Sequence, residues 1–134
     1  MRERVITIGQ PKPLFGILCE PENYANKKIA VILLNSGVMH RVGSSRISVK
    51  IAREISENNG LASLRFDFSG VGDSPPRRSG GADFGQVAVS EVREVMDYLQ
   101  KNHKFESFIL YGLCSGAFTS FQVGRVDDRV RAIA

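Results

Sequence analysis

Phe108-Ile109-Leu110-Tyr111-Gly112-Leu113-Cys114-Ser115-Gly116 carries a short apolar run into a cysteine with a glycine two residues to either side. Residues 117–123, which follow, are compatible with a helix. The spacing predicts a sharp strand-to-helix turn, since a residue held in strained geometry at the tip of such a turn tolerates only small neighbours across it. That turn would put the Cys114 sulfur at the carboxyl end of a strand and the amino end of a helix. Free backbone N–H groups and the helix dipole at that place favour a developing oxyanion.

Upstream, the hydrophobic period alternates between strand and helix. Residues 5–8 and 14–20 read as strands joined by the turn Gly9-Gln10-Pro11-Lys12-Pro13. Residues 23–28 form a polar loop, and Ile29-Ala30-Val31-Ile32-Leu33-Leu34 is the continuous apolar run of a strand buried on both faces. From Ser44 or Ser45, Ile47, Ile51, Ala52 and Ile55 recur at helical spacing, and Gly60 stands where a glycine cap belongs. Residues 62–68 return to strand, and residues 69–81 are a Gly/Pro/Ser-rich loop. Asp83 with Gln86 predicts a capping box opening the longest helix, whose apolar stripe is Phe84, Ala88, Val92, Val95, Met96 and Leu99. Residues 107–111 form a strand leading to the turn, and residues 130–134 begin another.

Strand–helix alternation of this kind specifies an α/β fold: a mostly parallel sheet flanked by helices on both faces, with right-handed crossovers. Ligands in such sheets bind at the carboxyl ends of the strands. The loops 35–43, 69–81 and 113–116 all fall at that end, while Asn58-Asn59 and Asn102-His103 fall at the other.

Composition narrows the function classes. A hydrophobic content of 43% across 134 residues is ordinary for one soluble globular domain. No apolar run approaches the length of a membrane span, and the mixed-charge start Met1-Arg2-Glu3-Arg4-Val5 is not a secretory signal. Two cysteines, Cys19 and Cys114, are too few for a disulfide scaffold or a metal cluster, so a cytoplasmic location and no metal are expected. Apart from Lys27-Lys28 and Arg77-Arg78, the basic residues behind the net charge of +4 are spread singly rather than as a stripe interleaved with aromatics, which argues against nucleic-acid binding.

With these elements placed, residues 5–134 resemble the first half of the α/β-hydrolase superfamily. Gly112-Leu113-Cys114-Ser115-Gly116 is similar to its nucleophile elbow. Arg65-Phe66-Asp67-Phe68-Ser69-Gly70-Val71-Gly72-Asp73-Ser74 is similar to its D-x-R-G-x-G-x-S segment, with Phe68-Ser69 where x-Arg is commoner. Residues 34–43 occupy the place of the oxyanion loop, with Ser36-Gly37 for the usual His-Gly. Together with an H-R-V-G-x-x-R loop at 40–46, the set resembles the hydrolases encoded beside bacterial exosortase and exopolysaccharide systems.

The resemblance implies that Cys114 is the nucleophile, that the N–H groups of Val38 and Ser115 form the oxyanion hole, and that Asp67, Gly70, Gly72, Gly112 and Gly116 are structural. His40 and Met39 are candidates for substrate contact, and Val38-Met39 would either line an acyl pocket or cover the sheet. Arg41, Arg46 and the Arg77-Arg78 pair read as solvated surface. The substrate would be a small acyl compound, an ester, thioester or lactone, with no cofactor. In the superfamily the acid and histidine follow the nucleophile, whereas here both histidines, His40 and His103, precede Cys114. Asp127 and Asp128, the acidic residues that follow it, are expected at the wrong end of the sheet. The expectation is therefore the N-terminal part of a single hydrolase-like domain, its sheet cut after the start of a further strand. Such an edge, beside an exposed Phe118 and Phe121, would favour self-association. A non-catalytic remnant or binding module, and an acyltransferase of the same fold, are the alternatives.

Overall fold

The computed structural model describes residues 1–23, 27–77 and 83–134. Strands β1 (Arg2–Ile8) and β2 (Leu14–Glu20) open the chain. Strand β3 (Ile29–Leu33), helix α1 (Ile47–Asn58), strand β4 (Ala62–Phe66), helix α2 (Phe84–His103), strand β5 (Ser107–Tyr111), helix α3 (Ser115–Val126) and strand β6 (Val130–Ile133) follow. One six-stranded sheet results, in the order β1-β2-β4-β3-β5-β6. The β1–β2 and β2–β4 pairs are antiparallel, and the β4–β3, β3–β5 and β5–β6 pairs are parallel. The α/β class read from the sequence is the class observed.

Side chains alternate across each strand, so the apolar runs serve two layers. Val31 and Leu33 pack with Ala52 of α1 on one face. Ala30, Ile32, Leu64, Phe66, Phe108 and Leu110 meet Val92, Val95, Met96 and Leu99 of α2 on the other. The crossover through α1 carries the chain from β3 to one side, and the crossover through α2 carries it to the other side of β3. The winding therefore reverses beside β3. The crevice outside the carboxyl ends of β3 and β5 is where such a sheet can admit a ligand.

Several boundaries and surfaces differ from the sequence expectations. Strand β1 starts at Arg2 rather than residue 5, because its polar residues have partners: Arg4 pairs with Glu20 at 2.7 Å, and Glu3 pairs with Arg53 at 2.8 Å and Arg65 at 3.2 Å. Strand β4 ends at Phe66 rather than residue 68, since the Asn35 side chain takes the Phe68 N–H at 2.9 Å. Asp83 caps α2 by accepting from the Gly85 N–H at 2.9 Å, and Phe84, the first residue of the predicted stripe, is 51% exposed. Arg77 is not a solvated turn: its guanidinium holds Glu94 at 2.6 Å and the Ile8 carbonyl at 3.0 Å. Arg78 and the rest of 78–82 lie outside the described residues. Among the described residues no helix is long and apolar enough to cross a membrane.

Asp127 ties the turn before β6 to helix α2. Its carboxylate accepts from the Arg129 side chain at 2.8 and 2.9 Å and from Arg93 at 3.1 Å. The Arg129 hydrogen bonds outweigh burial and hold its pKa at about 2, below the usual 3.8. A carboxylate depressed on folding stabilises above its unfolded value, and that contribution disappears as pH falls through the folded one. Asp127→Asn is therefore expected to cost up to about 2 kcal/mol at neutral pH. Thermal melts of variant and wild type should converge as the pH approaches about 2.

Candidate active site

Strand β5 ends at Tyr111 and helix α3 begins at Ser115, with Cys114 between them at φ 53°, ψ −117°. A cysteine gains nothing intrinsically from that conformation, so the surrounding packing must impose it. Gly112 and Gly116 are the means. A Cβ on Gly112 would stand 2.5 Å from the Gly116 carbonyl oxygen and 2.8 Å from the Ala117 nitrogen. One on Gly116 would stand 2.8 Å from the Asn35 carbonyl oxygen. The turn is thus wedged against its own helix on one side and the β3 loop on the other. Cys114 itself is exposed, whereas Cys19 is buried and burial pushes its thiol pKa up.

The loop after β3, residues 34–43, runs beside this turn. The Leu34 N–H donates to the Tyr111 carbonyl at 2.9 Å, continuing the β3–β5 pairing. The Gly37 N–H donates to Ser115 Oγ at 2.7 Å, so the hydroxyl next to Cys114 is a strut for the loop. Gly37 and Val38 occupy a turn closed by the Met39 N–H on the Ser36 carbonyl at 3.1 Å. Val38 is 92% exposed, so its side chain neither lines a pocket nor covers the sheet. It follows Gly37, which Ser115 Oγ holds at the amino end of α3, where the Ser115 N–H has no intrahelical partner.

A pocket of about 100 Å³ opens between this loop and the turn. Leu33, Leu34, Met39, Ile47, Tyr111 and Leu113 give it an apolar wall, and His40, Arg41 and Ser48 add polar groups. Met39 and His40 are thus brought together here, with Leu113 marking the side nearest the cysteine; Cys114 is not part of the lining. His40 accepts from the Val42 N–H through Nδ1 at 3.4 Å. His103 lies at the opposite end of the sheet, 3.8 Å from Glu20 and stacked on Phe105. Burial lowers its pKa against the pull of Glu20.

Asp67 is fully buried at the end of β4. It accepts the Arg41 N–H at 2.5 Å, the Asp73 N–H at 3.2 Å and the Arg41 guanidinium, which also reaches Asp73 at 2.7 Å. Arg41 is therefore not solvated surface, contrary to the sequence reading. Gly72 makes room for the carboxylate: at φ +54°, a Cβ there would lie 2.6 Å from Asp67 Cγ. Gly70, at φ +80°, has its nearest neighbour at 3.8 Å and needs glycine for conformation alone. Asn35 is a site residue the sequence reading passed over. Buried at 6% exposure, it donates to the Met39 carbonyl at 2.9 Å and accepts from Phe68, joining the two loops. An asparagine closing a buried strand was the available signal.

Comparison with known proteins agrees with this architecture. The family model of the alpha/beta hydrolase fold matches residues 30–134. An α/β serine hydrolase without a lid from Xanthomonas campestris is 22% identical with a TM-score of 0.72, over 93% of this chain and 56% of that one. An α/β serine hydrolase homologue from Coxiella burnetii is 23% identical with a TM-score of 0.72, over 92% and 58%. A Pyrococcus furiosus esterase is 16% identical with a TM-score of 0.80, over 98% and 49%. The chain thus spans about half the length of these structures. A search of curated proteins by sequence gave no match. With its switch-point crevice, glycine-wedged turn and matching family model, the chain belongs to the alpha/beta hydrolase fold family.

Proposed function

We propose that this chain carries the nucleophile and oxyanion half of an acyl-transferring hydrolase, with Cys114 attacking an ester, thioester or lactone. Cys114 Sγ bonds to the acyl carbon while the N–H groups of Ser115 and Val38 hold the carbonyl oxygen as it becomes an oxyanion. Collapse of that intermediate breaks the bond to the alcohol or thiol, and water then releases the acid and restores the thiol. The observation that carries the reading is Cys114 itself: exposed, at positive φ, and wedged at the amino end of α3 by two close-packed glycines. The apolar pocket beside it supports a short acyl group. An apolar cavity of about 150 Å³ takes benzene, so a pocket of about 100 Å³ suits only a few carbons. The loop at 40–46 and the segment at 65–74 support a place among the hydrolases encoded beside exosortase systems.

His103 is remote from Cys114 and His40 belongs to the loop, so neither is assigned as the general base. Incubating the chain with 4-nitrophenyl acetate should therefore acetylate Cys114 stoichiometrically without sustained turnover, since loss of the base forfeits roughly three orders of magnitude or more in rate. Cys114→Ala should carry no acetyl group by mass spectrometry. A wild-type chain without the adduct would leave the binding-module reading in its place. Sustained turnover that survives His40→Ala but not Cys114→Ala would require a base elsewhere in the chain.

A further inference from the structure

We propose that Arg41 and Asp67 are positioning residues for the oxyanion site, a clamp that fixes where the Val38 N–H stands relative to Cys114. The inference rests on the reading of Cys114 as nucleophile. Val38 lies in a loop without strand or helix, and its side chain packs on nothing that could locate it. Its position must come from anchors on either side. Toward the amino end, Gly37 is held by Ser115 Oγ, on the residue next to the nucleophile. Toward the carboxyl end, Arg41 is held twice by Asp67, through its N–H and through its guanidinium. Residues 38–40 separate these anchors: the turns 36–39 and 40–43, each closed by its own backbone hydrogen bond, meet there, and the Asn35 side chain holds the Met39 carbonyl at 2.9 Å.

Asp67 is suited to the part because it cannot move. Its carbonyl accepts from Ser74 Oγ at 2.7 Å, and that hydroxyl in turn accepts from the Phe15 N–H at 2.9 Å, binding the segment to the sheet. The carboxylate is fully buried, so each oxygen depends on the donors the two loops supply. Arg41 thereby converts the rigidity of the sheet into a fixed loop. Asp73, whose side chain is 63% exposed, steadies the guanidinium from outside.

Two reagents separate positioning from access or folding. Acetylation by 4-nitrophenyl acetate forms the Cys114 S–C bond, breaks the ester C–O bond and releases nitrophenolate, with the thiol proton passing to buffer. It traverses an oxyanion. Alkylation by iodoacetamide forms an S–C bond and expels iodide, the proton again going to buffer, and develops no oxyanion. Cys19 is buried, so peptide mapping can follow Cys114 alone. In the full chain, Arg41→Gln should slow acetylation on the order of tenfold to a hundredfold, since displacing a donor by an ångström has effects of that size. Alkylation should be unchanged, and Arg41→Lys should recover most of the loss. Asp73→Asn, at an exposed partner, should slow acetylation less and leave alkylation alone; if Arg41→Gln does not fold, this variant decides. Equal loss with both reagents, or no loss with either, would overturn the clamp. A wild-type chain that is alkylated but never acetylated would overturn the nucleophile reading, and the clamp with it. Wild-type acetylation with an unchanged ratio in the variants overturns the clamp alone.

Discussion

Gly112→Ala is expected to be among the most damaging single-methyl changes in this chain, although Gly112 has no positive φ to explain it. The added Cβ would meet three backbone atoms across the turn, among them the Gly116 carbonyl oxygen at 2.5 Å and the Ala117 nitrogen at 2.8 Å. A flexible side chain could swing away from such a contact. The first turn of α3 cannot, because the Gly116 N–H is bonded to the Leu113 carbonyl at 2.9 Å and the Phe118 N–H to the Cys114 carbonyl at 3.1 Å. Overpacking against side chains costs about 1–3 kcal/mol, so a clash with fixed backbone should cost at least about 3 kcal/mol. Against a total stability of about 5–15 kcal/mol for a domain, this corresponds to a fall in Tm of about 10 °C or more. Gly37→Ala is the control: its φ is +56°, but nothing lies within 4 Å of the added carbon. It should cost only about 1–2 kcal/mol of left-handed strain. Thermal melts followed by circular dichroism would compare the two. A Gly112→Ala chain as stable as Gly37→Ala would mean that the turn is free to open.

What the sequence made legible here is local, and what it hid is not. Strands β2 and β5 and the turn at Cys114 were readable because hydrophobic period, turn glycines and caps act over a few neighbouring residues. The wedge around Gly112 and Gly116 was readable for the same reason. The clamp was not. Arg41 and Asp67 are 26 residues apart and Asn35 and Phe68 are 33 apart, so their pairing exists only after β3 and β4 lie side by side. A lone arginine in a polar loop looks like surface until a buried carboxylate arrives beneath it. Glu91 makes the same point. It sits on the largely apolar side of α2 at 3% exposure and accepts the Ser69 N–H at 3.0 Å, a bond that no helical pattern foretells. The order of the sheet, and hence the crevice at β3 and β5, likewise depends on crossover direction rather than on any one segment.

Gly72→Ala should be markedly worse than Gly70→Ala, although the two positions share a loop and a left-handed backbone. Their φ values are +54° and +80°, so alanine at either should cost about 1–2 kcal/mol of conformational strain. At Gly70 that is the whole cost, because the nearest neighbours are Pro76 atoms at 3.8 and 3.9 Å. At Gly72 the new Cβ would stand 2.6 Å from Asp67 Cγ and 2.9 Å from its Oδ1. The carboxylate has nowhere to retreat, since it is fully buried and bonded to Arg41 on the far loop. Either the 70–74 loop lifts, giving up the Asp73 N–H bond to Asp67, or the carboxylate turns and loses Arg41. Breaking a buried ion pair from one side costs about 3–5 kcal/mol, so even partial displacement should set Gly72→Ala at least about 2 kcal/mol below Gly70→Ala. Urea midpoints of the two variants measure that difference directly. Equal midpoints would show that Asp67 can shift without loss, which is incompatible with a carboxylate that anchors the loop beside Cys114.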